Sequence, residues 1–302
     1  MAHPRQQAAL ESGTVIAAHG RRYRVEPVAG GEIECMTRGK RSDIACGDRV
    51  QFARSGDGGV IEKAETRRTL FYRSDARRQK IIAANVTQII VVIAAEPAYS
   101  EDLVNRCLVG AEHAGIAAAI VFNKVDLPAA TEGMRALHLY RQLGYAVVPL
   151  SAKQDLAPLR AQLAGETSVL VGQSGMGKST IINGLLPEAA ARVSEISLAL
   201  GTGRHTTTHA KLYHLDANSH IIDSPGLQEF GLHHLSPEDA AHAFVEFRPW
   251  LGQCRFRDCL HTAEPDCAIL AAAKRGEISQ RRLGSYHRLA EELSRKLAAW
   301  QM

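Results

Sequence analysis

Eight consecutive residues, Gly172-Gln-Ser-Gly-Met-Gly-Lys-Ser179, satisfy the pattern G-x-x-x-x-G-K-[ST] in full. The apolar run SVLV precedes them and TIINGLL follows, so we expect the strand, turn and helix that a phosphate-binding loop requires. Glycines let main-chain N–H groups surround phosphates, Lys178 can reach the β and γ oxygens, and the Ser179 hydroxyl can ligate Mg²⁺. The sequence therefore predicts a nucleotide site formed by Gly172, Gln173, Ser174, Gly175, Met176, Gly177, Lys178, Ser179 and Thr180.

Two further motifs, each after an apolar run, indicate which base the nucleotide carries. They are Asn123-Lys124-Val125-Asp126 and Ser151-Ala152-Lys153. The Asp126 carboxylate can accept both N1–H and N2–H₂ of guanine, but it would face the acceptor N1 of adenine. A main-chain N–H in the second motif can reach guanine O6, and the Lys153 stem can cover the base. Because α/β sheets bind ligands at the carboxyl ends of their strands, the two motifs together predict guanine nucleotides.

A D-x-x-G element, Asp223-Ser-Pro-Gly226, ends the apolar run HIID. We expect Asp223 to hold Mg²⁺ through water and the Gly226 N–H to contact the γ-phosphate. Between this element and the phosphate loop lies GRHTTTH, where one of three threonines should complete the Mg²⁺ shell. Thr207 and Thr208 are favoured over Thr206. Such a segment would be ordered by the γ-phosphate and released on hydrolysis.

A Cys₃His set with the spacing C-x₄-C-x-H-x₅-C predicts one structural zinc ion with no open position for catalysis. Its members are Cys254, Cys259, His261 and Cys267. The remaining cysteines, Cys35, Cys46 and Cys107, are isolated in the sequence and are expected to be small buried apolar residues.

Three kinds of element are expected to position these residues. From residue 13 to 64 about five short β-type runs fit a small barrel, for which an OB-fold is the economical choice and an SH3-like barrel the alternative. From residue 88, runs that are apolar throughout alternate with helical segments, which predicts a parallel sheet between two layers of helices. From Pro237 the chain is predicted to be helical around the cysteine-containing loop.

The order of the motifs is unusual, because the two base-binding motifs precede the phosphate loop instead of following it. The motifs keep their cyclic order, but the chain begins and ends at a different point of that order. A compact α/β domain tolerates such a circular permutation because its termini lie close together. We therefore predict a multidomain α/β protein with a circularly permuted GTPase domain. Its parts are an RNA-binding OB-fold barrel at 1–66, a basic linker at 67–80, the permuted GTPase domain at 81–230 and a mainly helical zinc-binding domain at 231–302.

Composition limits the classes of protein that the chain could belong to. Its 302 residues, 45% hydrophobic and 23% charged, can form two or three cores, which excludes disorder and fibrous structure. No apolar stretch approaches the length of a spanning helix, and the N-terminal residues lack an apolar stretch of signal-peptide length. We therefore expect a cytoplasmic protein without membrane contact or structural disulfides.

Positive charge is concentrated near the N-terminus. Residues 1–80 carry 16 Lys and Arg against 10 Asp and Glu, and the density is highest at 67–80, where Phe71 and Tyr72 interrupt the basic residues. One interpretation is a surface for a phosphate-rich partner whose unpaired bases stack on the aromatic rings. The other is a solvated interdomain linker.

The residue that orients the attacking water is not obvious. Many GTPases have a glutamine after the D-x-x-G element, whereas this chain has Leu227, which cannot polarise water. Intrinsic hydrolysis should therefore be slow or depend on another group. His233 and His234 follow in EFGLHHL, and either imidazole could align a water molecule.

The whole pattern resembles the RsgA family of small ribosomal subunit biogenesis GTPases, also called YjeQ or YloQ. The resemblance rests on the permuted order, on GQSGMGKS, GRHTTT, DSPG and EFGL, and on the cysteine loop, with a barrel in front. It extends from about Gly13 to His287. It implies late maturation of the small ribosomal subunit as the task and GTP hydrolysis stimulated by that subunit. His234 matches the position of the family's catalytic histidine.

The mechanism expected from this resemblance is a switch with two RNA-facing modules. GTP and Mg²⁺ would order the switch segments and so place the barrel and the zinc module against the immature small subunit and its rRNA. Formation of GDP would then release the protein from the subunit. The protein is expected to act as a monomer. Two alternatives remain open. One is an ATP-dependent or small-molecule kinase, which Asp126 opposes, and the other is an RNA-binding assembly chaperone in which the nucleotide is structural.

Overall fold

A computed structural model of the chain describes residues 9–38, 43–74, 79–186, 210–224 and 230–300. In these ranges it contains a five-stranded barrel, a separate hairpin, a mainly parallel sheet covered by helices, and a C-terminal group of helices. Among the described helices, none combines the length and the apolar character needed to cross a membrane. The fold class predicted from the sequence is confirmed.

The N-terminal barrel closes in the order β1-β2-β3-β5-β4, with β4 pairing back onto β1. β3 and β5 run parallel and the other pairs are antiparallel, which is the arrangement of an OB-fold. Alternating apolar residues such as Val25 and Phe52 fill its interior, as the period of two in a strand requires. The strands are β1 (Leu10–His19), β2 (Arg22–Pro27), β3 (Ile33–Thr37), β4 (Arg49–Ser55) and β5 (Gly58–Ala64).

In the basic stretch after the barrel, the described residues form the two antiparallel strands of a hairpin, β6 (Leu70–Ser74) and β7 (Gln79–Ala84), where the sequence left open a solvated linker or a surface for a phosphate-rich partner. Phe71 is 1% exposed and stacks on Phe230, with 5.2 Å between ring centroids. The interpretation of Phe71 as a ring open to an RNA base is therefore wrong, because burial against a distant apolar partner closes its face to solvent.

The central sheet has the order β10-β9-β8-β11-β13-β12, parallel except for the edge strand β12. All seven residues of β8 are buried, as its continuous apolar run predicts. One layer of apolar side chains includes Leu108 and Phe244, and the opposite layer includes Leu159 and Ile181. The strands are β8 (Gln88–Ala94), β9 (Ala117–Asn123), β10 (Ala146–Pro149), β11 (Thr167–Val171), β12 (Lys211–His214) and β13 (His220–Asp223).

Within the described residues, five helices lie between or after these strands. α1 begins at Ser100, whose side chain accepts a hydrogen bond from the Leu103 N–H and so caps the helix. α5 begins directly at the end of the phosphate loop. The helices are α1 (Glu101–His113), α2 (Ala130–Ala136), α3 (His138–Gln142), α4 (Ala157–Leu163) and α5 (Lys178–Leu185).

The edge strand β12 connects the central sheet to the barrel. Lys211 pairs with Ala17 of β1, so the strands of both units form one continuous sheet. At the far end of β12 the ring of His214 bonds the Glu26 carboxylate of the barrel at 2.8 Å. β12 also pairs with β13, so the barrel lies two strands from the strand that carries Asp223.

The C-terminal helices pack against α1. Arg282 is fully buried, where it pairs with Glu246 at 2.6 Å and donates to Asn105 Oδ1 at 2.7 Å, so every buried charge in this contact has a partner. The elements are α6 (Pro237–Ala243), a 3₁₀ helix (Val245–Trp250), α7 (Ala268–Lys274) and α8 (Gln280–Trp300).

Candidate nucleotide and metal sites

The phosphate loop joins β11 to α5, as the sequence predicts. At two positions of the loop only glycine fits, because neighbouring atoms leave no room for a Cβ. Gly172 has φ +148° and Gly177 has φ +96°, both in a region that favours glycine. A Cβ on Gly172 would lie 2.3 Å from the Val92 carbonyl oxygen, and one on Gly177 would lie 2.2 Å from Asn123 Nδ2. No side chain fits at either position without displacing a neighbouring strand or the asparagine.

Lys178 lies across this loop. Its ammonium group donates to the carbonyl oxygens of Gly172 at 2.7 Å and Gln173 at 2.9 Å. Burial lowers the pKa of Lys178, while the nearby Asp223 carboxylate acts in the opposite direction. A phosphate group beside this ammonium would favour its charged form in the same way, because opposite charges stabilise each other at short range.

Asn123, in the first base-binding motif, connects the second base-binding motif and the phosphate loop. Its amide donates to the Met176 carbonyl in the phosphate loop at 2.9 Å, and its oxygen accepts from the Ala152 N–H at 2.9 Å. The residue is 2% exposed, so these bonds compete little with water. The asparagine therefore holds the base-binding loops and the phosphate loop in one fixed arrangement.

Asp126, the residue predicted to recognise the base, is exposed beside these loops. A hydrogen bond with Ser151, its own main-chain N–H and the charges of Lys153 and Lys124 lower the pKa of its carboxyl group. The carboxylate is therefore ionised at neutral pH and can accept two hydrogen bonds. Lys124 adopts φ +61° and donates to the Glu96 carbonyl at 2.7 Å, and Val125 is partly exposed next to it.

Gln173 makes a contact that the sequence did not indicate. Its side-chain oxygen accepts a hydrogen bond from the Ser100 N–H at 2.7 Å, which joins the phosphate loop to the start of α1. The variable second position of the motif gives no signal for such a bond, because the partner is 73 residues away in the chain.

The candidate magnesium ligands come from the end of β13 and from the first turn of α5, which follows the neighbouring strand β11. Asp223 ends β13, is 8% exposed and is paired in register with Leu170 of β11, while Ser179 is exposed in the first turn of α5. A carboxylate and a hydroxyl are oxygen ligands of the kind that Mg²⁺ takes beside phosphates, so these residues fit the ion. Thr206, Thr207, Thr208, Gly226 and Leu227 lie outside the described residues.

The two adjacent histidines bond to different elements. His234 Nδ1 lies 2.7 Å from Ser74 Oγ, its main-chain N–H donates to the same oxygen at 2.9 Å, and its ring packs on Tyr72. His233 Nε2 lies 3.0 Å from Glu292 Oε1 on α8. The residues alone left both imidazoles as candidates and the family resemblance favoured His234, while the fold gives each ring a separate partner.

The predicted zinc ligands converge in one cluster. Their donor atoms all lie within 4.8 Å of one another, with Cys254 Sγ 3.9 Å from Cys267 Sγ and His261 Nδ1 3.4 and 3.5 Å from these two sulfurs. Tetrahedral zinc with ordinary bond lengths gives S···S of about 3.8 Å and S···N of about 3.5 Å, so the cluster fits the ion. The Leu270 N–H also points at Cys267 Sγ at 3.5 Å, a contact that supports a thiolate ligand.

The other three cysteines are buried apart from this cluster, as predicted. Cys35, Cys46 and Cys107 are at most 1% exposed. Burial raises the pKa of the Cys35 thiol to about 11 and of the Cys46 thiol to about 12. These thiols are consequently poor nucleophiles and poor metal ligands at neutral pH.

Comparison with known proteins connects this geometry to one family. The model of the RsgA GTPase family matches residues 64–233. A protein from Nitrosospira multiformis named small ribosomal subunit biogenesis GTPase RsgA is 50% identical over 284 residues, covering 93% of this chain and 91% of its own. The chain belongs to the RsgA GTPase family. A second protein of that name, from Nitrosomonas europaea, is 51% identical over 290 residues, covering 94% of this chain and 92% of its own.

Solved structures agree with the RsgA assignment. YjeQ from Thermotoga maritima has a TM-score of 0.74 at 31% identity, covering 94% of this chain and 99% of that protein. YloQ, described as a circularly permuted GTPase, has a TM-score of 0.70 at 26% identity, with coverage of 98% and 99%. The permuted order and the barrel in front of the GTPase domain are therefore features that this RsgA-family chain shares with solved relatives.

Proposed function

We propose that this chain is a GTP hydrolase that acts as a nucleotide-dependent switch in late maturation of the small ribosomal subunit. The observation that carries the proposal is the Asn123 bridge, which brings the predicted base-binding and phosphate-binding motifs together around one site. The biological task is supported by the names of relatives at about half identity over nearly the whole chain.

In the proposed site each group has a separate task. Asp126 accepts from guanine N1–H and N2–H₂, and Lys178 with the loop N–H groups binds the phosphates. A main-chain N–H of the Ser151-Ala152-Lys153 motif, other than that of Ala152, which is bonded to Asn123, donates to guanine O6. Mg²⁺, when bound, neutralises charge on the β and γ oxygens. Its ligands would be the Ser179 hydroxyl, a water held by Asp223, and Thr207 or Thr208.

Hydrolysis is proposed to depend on His234, which positions the attacking water because Leu227 cannot. Ser74 bonds both the ring and the main chain of His234 and so fixes the orientation of the imidazole. Since the described contacts hold this ring on β6, hydrolysis should be slow in the isolated protein. Contact with the small subunit is proposed to stabilise the arrangement in which His234 acts.

The units proposed for this switch are the barrel at 1–66, the basic segment at 67–80, the GTPase domain at 81–230 and the helical domain at 231–302. One structural zinc ion held by the Cys₃His cluster would fix the loop of the last unit. The barrel and the zinc-binding domain would contact the rRNA of the immature subunit, and the factor would act as a cytoplasmic monomer that leaves after hydrolysis.

Co-sedimentation with purified small ribosomal subunits tests the switch. The full-length protein is incubated with a non-hydrolysable GTP analogue, with GDP or without nucleotide, and large subunits serve as the control. We expect association with small subunits in the analogue state only. Equal association in all three conditions would contradict a nucleotide-dependent switch and favour an RNA-binding chaperone in which the nucleotide is structural.

A further inference from the structure

A chain of ion pairs connects α1, α8 and the segment 230–235 that follows the D-x-x-G element. Glu292 on α8 lies 3.0 Å from His233 through one oxygen and 2.6 Å from Arg106 of α1 through the other. Arg106 also bonds Asp102, one turn earlier on α1, at 2.6 Å. The side chains of His233, Glu292 and Arg106 are 19%, 30% and 15% exposed, so solvent screens these contacts less than those of a surface pair.

The segment 230–235 is also held on its other sides. The Ser74 N–H donates to the Gly231 carbonyl at 2.9 Å, which ties the segment to β6. Phe230 and Leu232 pack on Gly110 of α1 so closely that a Cβ there would lie 2.9 Å from the Phe230 ring. The contact between His233 and Glu292 therefore holds a third side of the segment, which contacts neither β6 nor Gly110 of α1.

This arrangement separates the roles of the two histidines. His233 Nε2 contacts the Glu292 carboxylate on α8, while the ring of His234 contacts Ser74 on β6. A nitrogen bonded to a carboxylate is not available to align a water molecule as long as that bond persists. His233 is thus suited to fixing the backbone from which the neighbouring imidazole projects.

We infer that His233 is a positioning residue for GTP hydrolysis, and that Glu292 of the last helix holds it in place. The inference rests on the proposed function of His234. It adds α8 to the parts of the chain on which hydrolysis depends, although this helix belongs to the C-terminal group rather than to the nucleotide site. The expected cost is kinetic, because a misplacement of about 1 Å can lower a rate by roughly 100-fold.

Glu292→Ala and Glu291→Ala form a matched pair for the test. Glu291 is the preceding residue on α8, and its ion pair among the described residues is an exposed contact with Arg295, so both variants remove one carboxylate from the same turn. In Glu292→Ala, Arg106 keeps Asp102, so no cation is left without a carboxylate. We expect kcat for GTP to fall about tenfold in Glu292→Ala while KM and the melting temperature stay close to those of Glu291→Ala.

Two further variants distinguish positioning from general destabilisation. Glu292→Gln retains an oxygen that can accept from the His233 ring and should keep kcat within about threefold of the wild type. His233→Ala combined with Glu292→Ala should lose no more than the more damaging single variant, because both remove the same contact.

The outcomes separate this inference from the proposed function. Equal kcat in Glu292→Ala and Glu291→Ala, or a higher kcat in Glu292→Ala, would overturn the positioning role of His233. Fully additive losses in the double variant would do the same. Absence of GTP hydrolysis in the wild type, with or without small subunits, would instead contradict the proposed function itself.

Discussion

Asn123 and Met176 lie 53 residues apart in the chain and are joined by a hydrogen bond of 2.9 Å from the asparagine amide to the methionine carbonyl. The bond fixes the base-binding loop against the phosphate loop, and the close approach leaves no room for a side chain at Gly177. The order of the motifs along the chain is permuted, but their contacts form one site. The geometry of nucleotide binding therefore depends on the positions of the strand ends and not on the order of connection.

Gly177→Ala should abolish GTP binding. The new Cβ would lie 2.2 Å from Asn123 Nδ2 at a φ of +96°, so either the loop or the asparagine must move. Calorimetric titration with GTP measures the effect, and we expect affinity to fall at least about 100-fold because phosphate-binding N–H groups lose their alignment.

Gly165→Ala is the matched control for this prediction. Gly165 also has a positive φ, +76°, but in the part of the chain that the structure describes no neighbouring atom lies within 4 Å of its added Cβ. It should lose about 1 kcal/mol of stability from backbone strain and keep its affinity for GTP. Similar affinities in the two variants would show that the contact with Asn123 does not shape the loop.

Asp126→Asn should weaken GTP binding without changing the fold. The substitution keeps the shape of the side chain but replaces one acceptor oxygen by a donor that faces guanine N1–H or N2–H₂. We expect a loss of about 100-fold or more in GTP affinity and a relative gain for xanthosine triphosphate, whose C2 oxygen is an acceptor. Unchanged preference among GTP, ATP and xanthosine triphosphate would contradict base recognition by Asp126.

The parts of this architecture that could be predicted from the sequence are those set by local patterns. The phosphate loop lies between β11 and α5 because an apolar run, glycines and a helical run are adjacent in the chain. The four predicted zinc ligands form a cluster because they lie within fourteen residues of one another. Contacts between distant residues could not be predicted. Ser74 and His234 are 160 residues apart, so the role of the hairpin depends on packing that no local pattern encodes.

The basic segment shows the same limit. Its charges left open either a surface for a phosphate-rich partner or a solvated linker, and neither interpretation indicated that Arg67 bonds the fully buried Asp48 carboxylate at 2.7 Å or that Phe71 is buried. Both contacts depend on partners contributed by other units of the fold. Composition describes the average environment of such a segment and not the burial of its individual side chains.

Zinc should be present at one ion per chain and should stabilise the C-terminal domain. His261→Ala removes one of four ligands, so we expect elemental analysis to show little bound zinc and the melting temperature to fall. Cys107→Ala, which alters a buried cysteine outside the cluster, should retain the metal. Full zinc occupancy in His261→Ala would contradict the ligand set.

Stability should decrease as the pH falls below about 6.5, in part because of His220. Burial and the electrostatic interaction with the neighbouring His214 ring lower the pKa of His220, while Asp216 and Glu26 act in the opposite direction. The unfolded chain therefore takes up this proton at a higher pH than the folded chain, and acidification favours unfolding until the folded group also titrates.

Melting temperatures measured between about pH 7.5 and 5.5 test the predicted loss of stability on acidification. The melting temperature of His220→Gln should decrease less over this range than that of the wild type. The exposed His138→Gln serves as the control and should follow the wild type. An equal or steeper decrease in His220→Gln would contradict the assigned direction.

The rate of GTP turnover with and without purified small ribosomal subunits, for the wild type and His234→Ala and with ATP as a control, tests the central claim most directly. We expect a large subunit-dependent increase with GTP alone that is lost in His234→Ala. Stimulation that survives in His234→Ala would contradict the role of this histidine, and the absence of any stimulation in the wild type would contradict the proposed action on the small subunit.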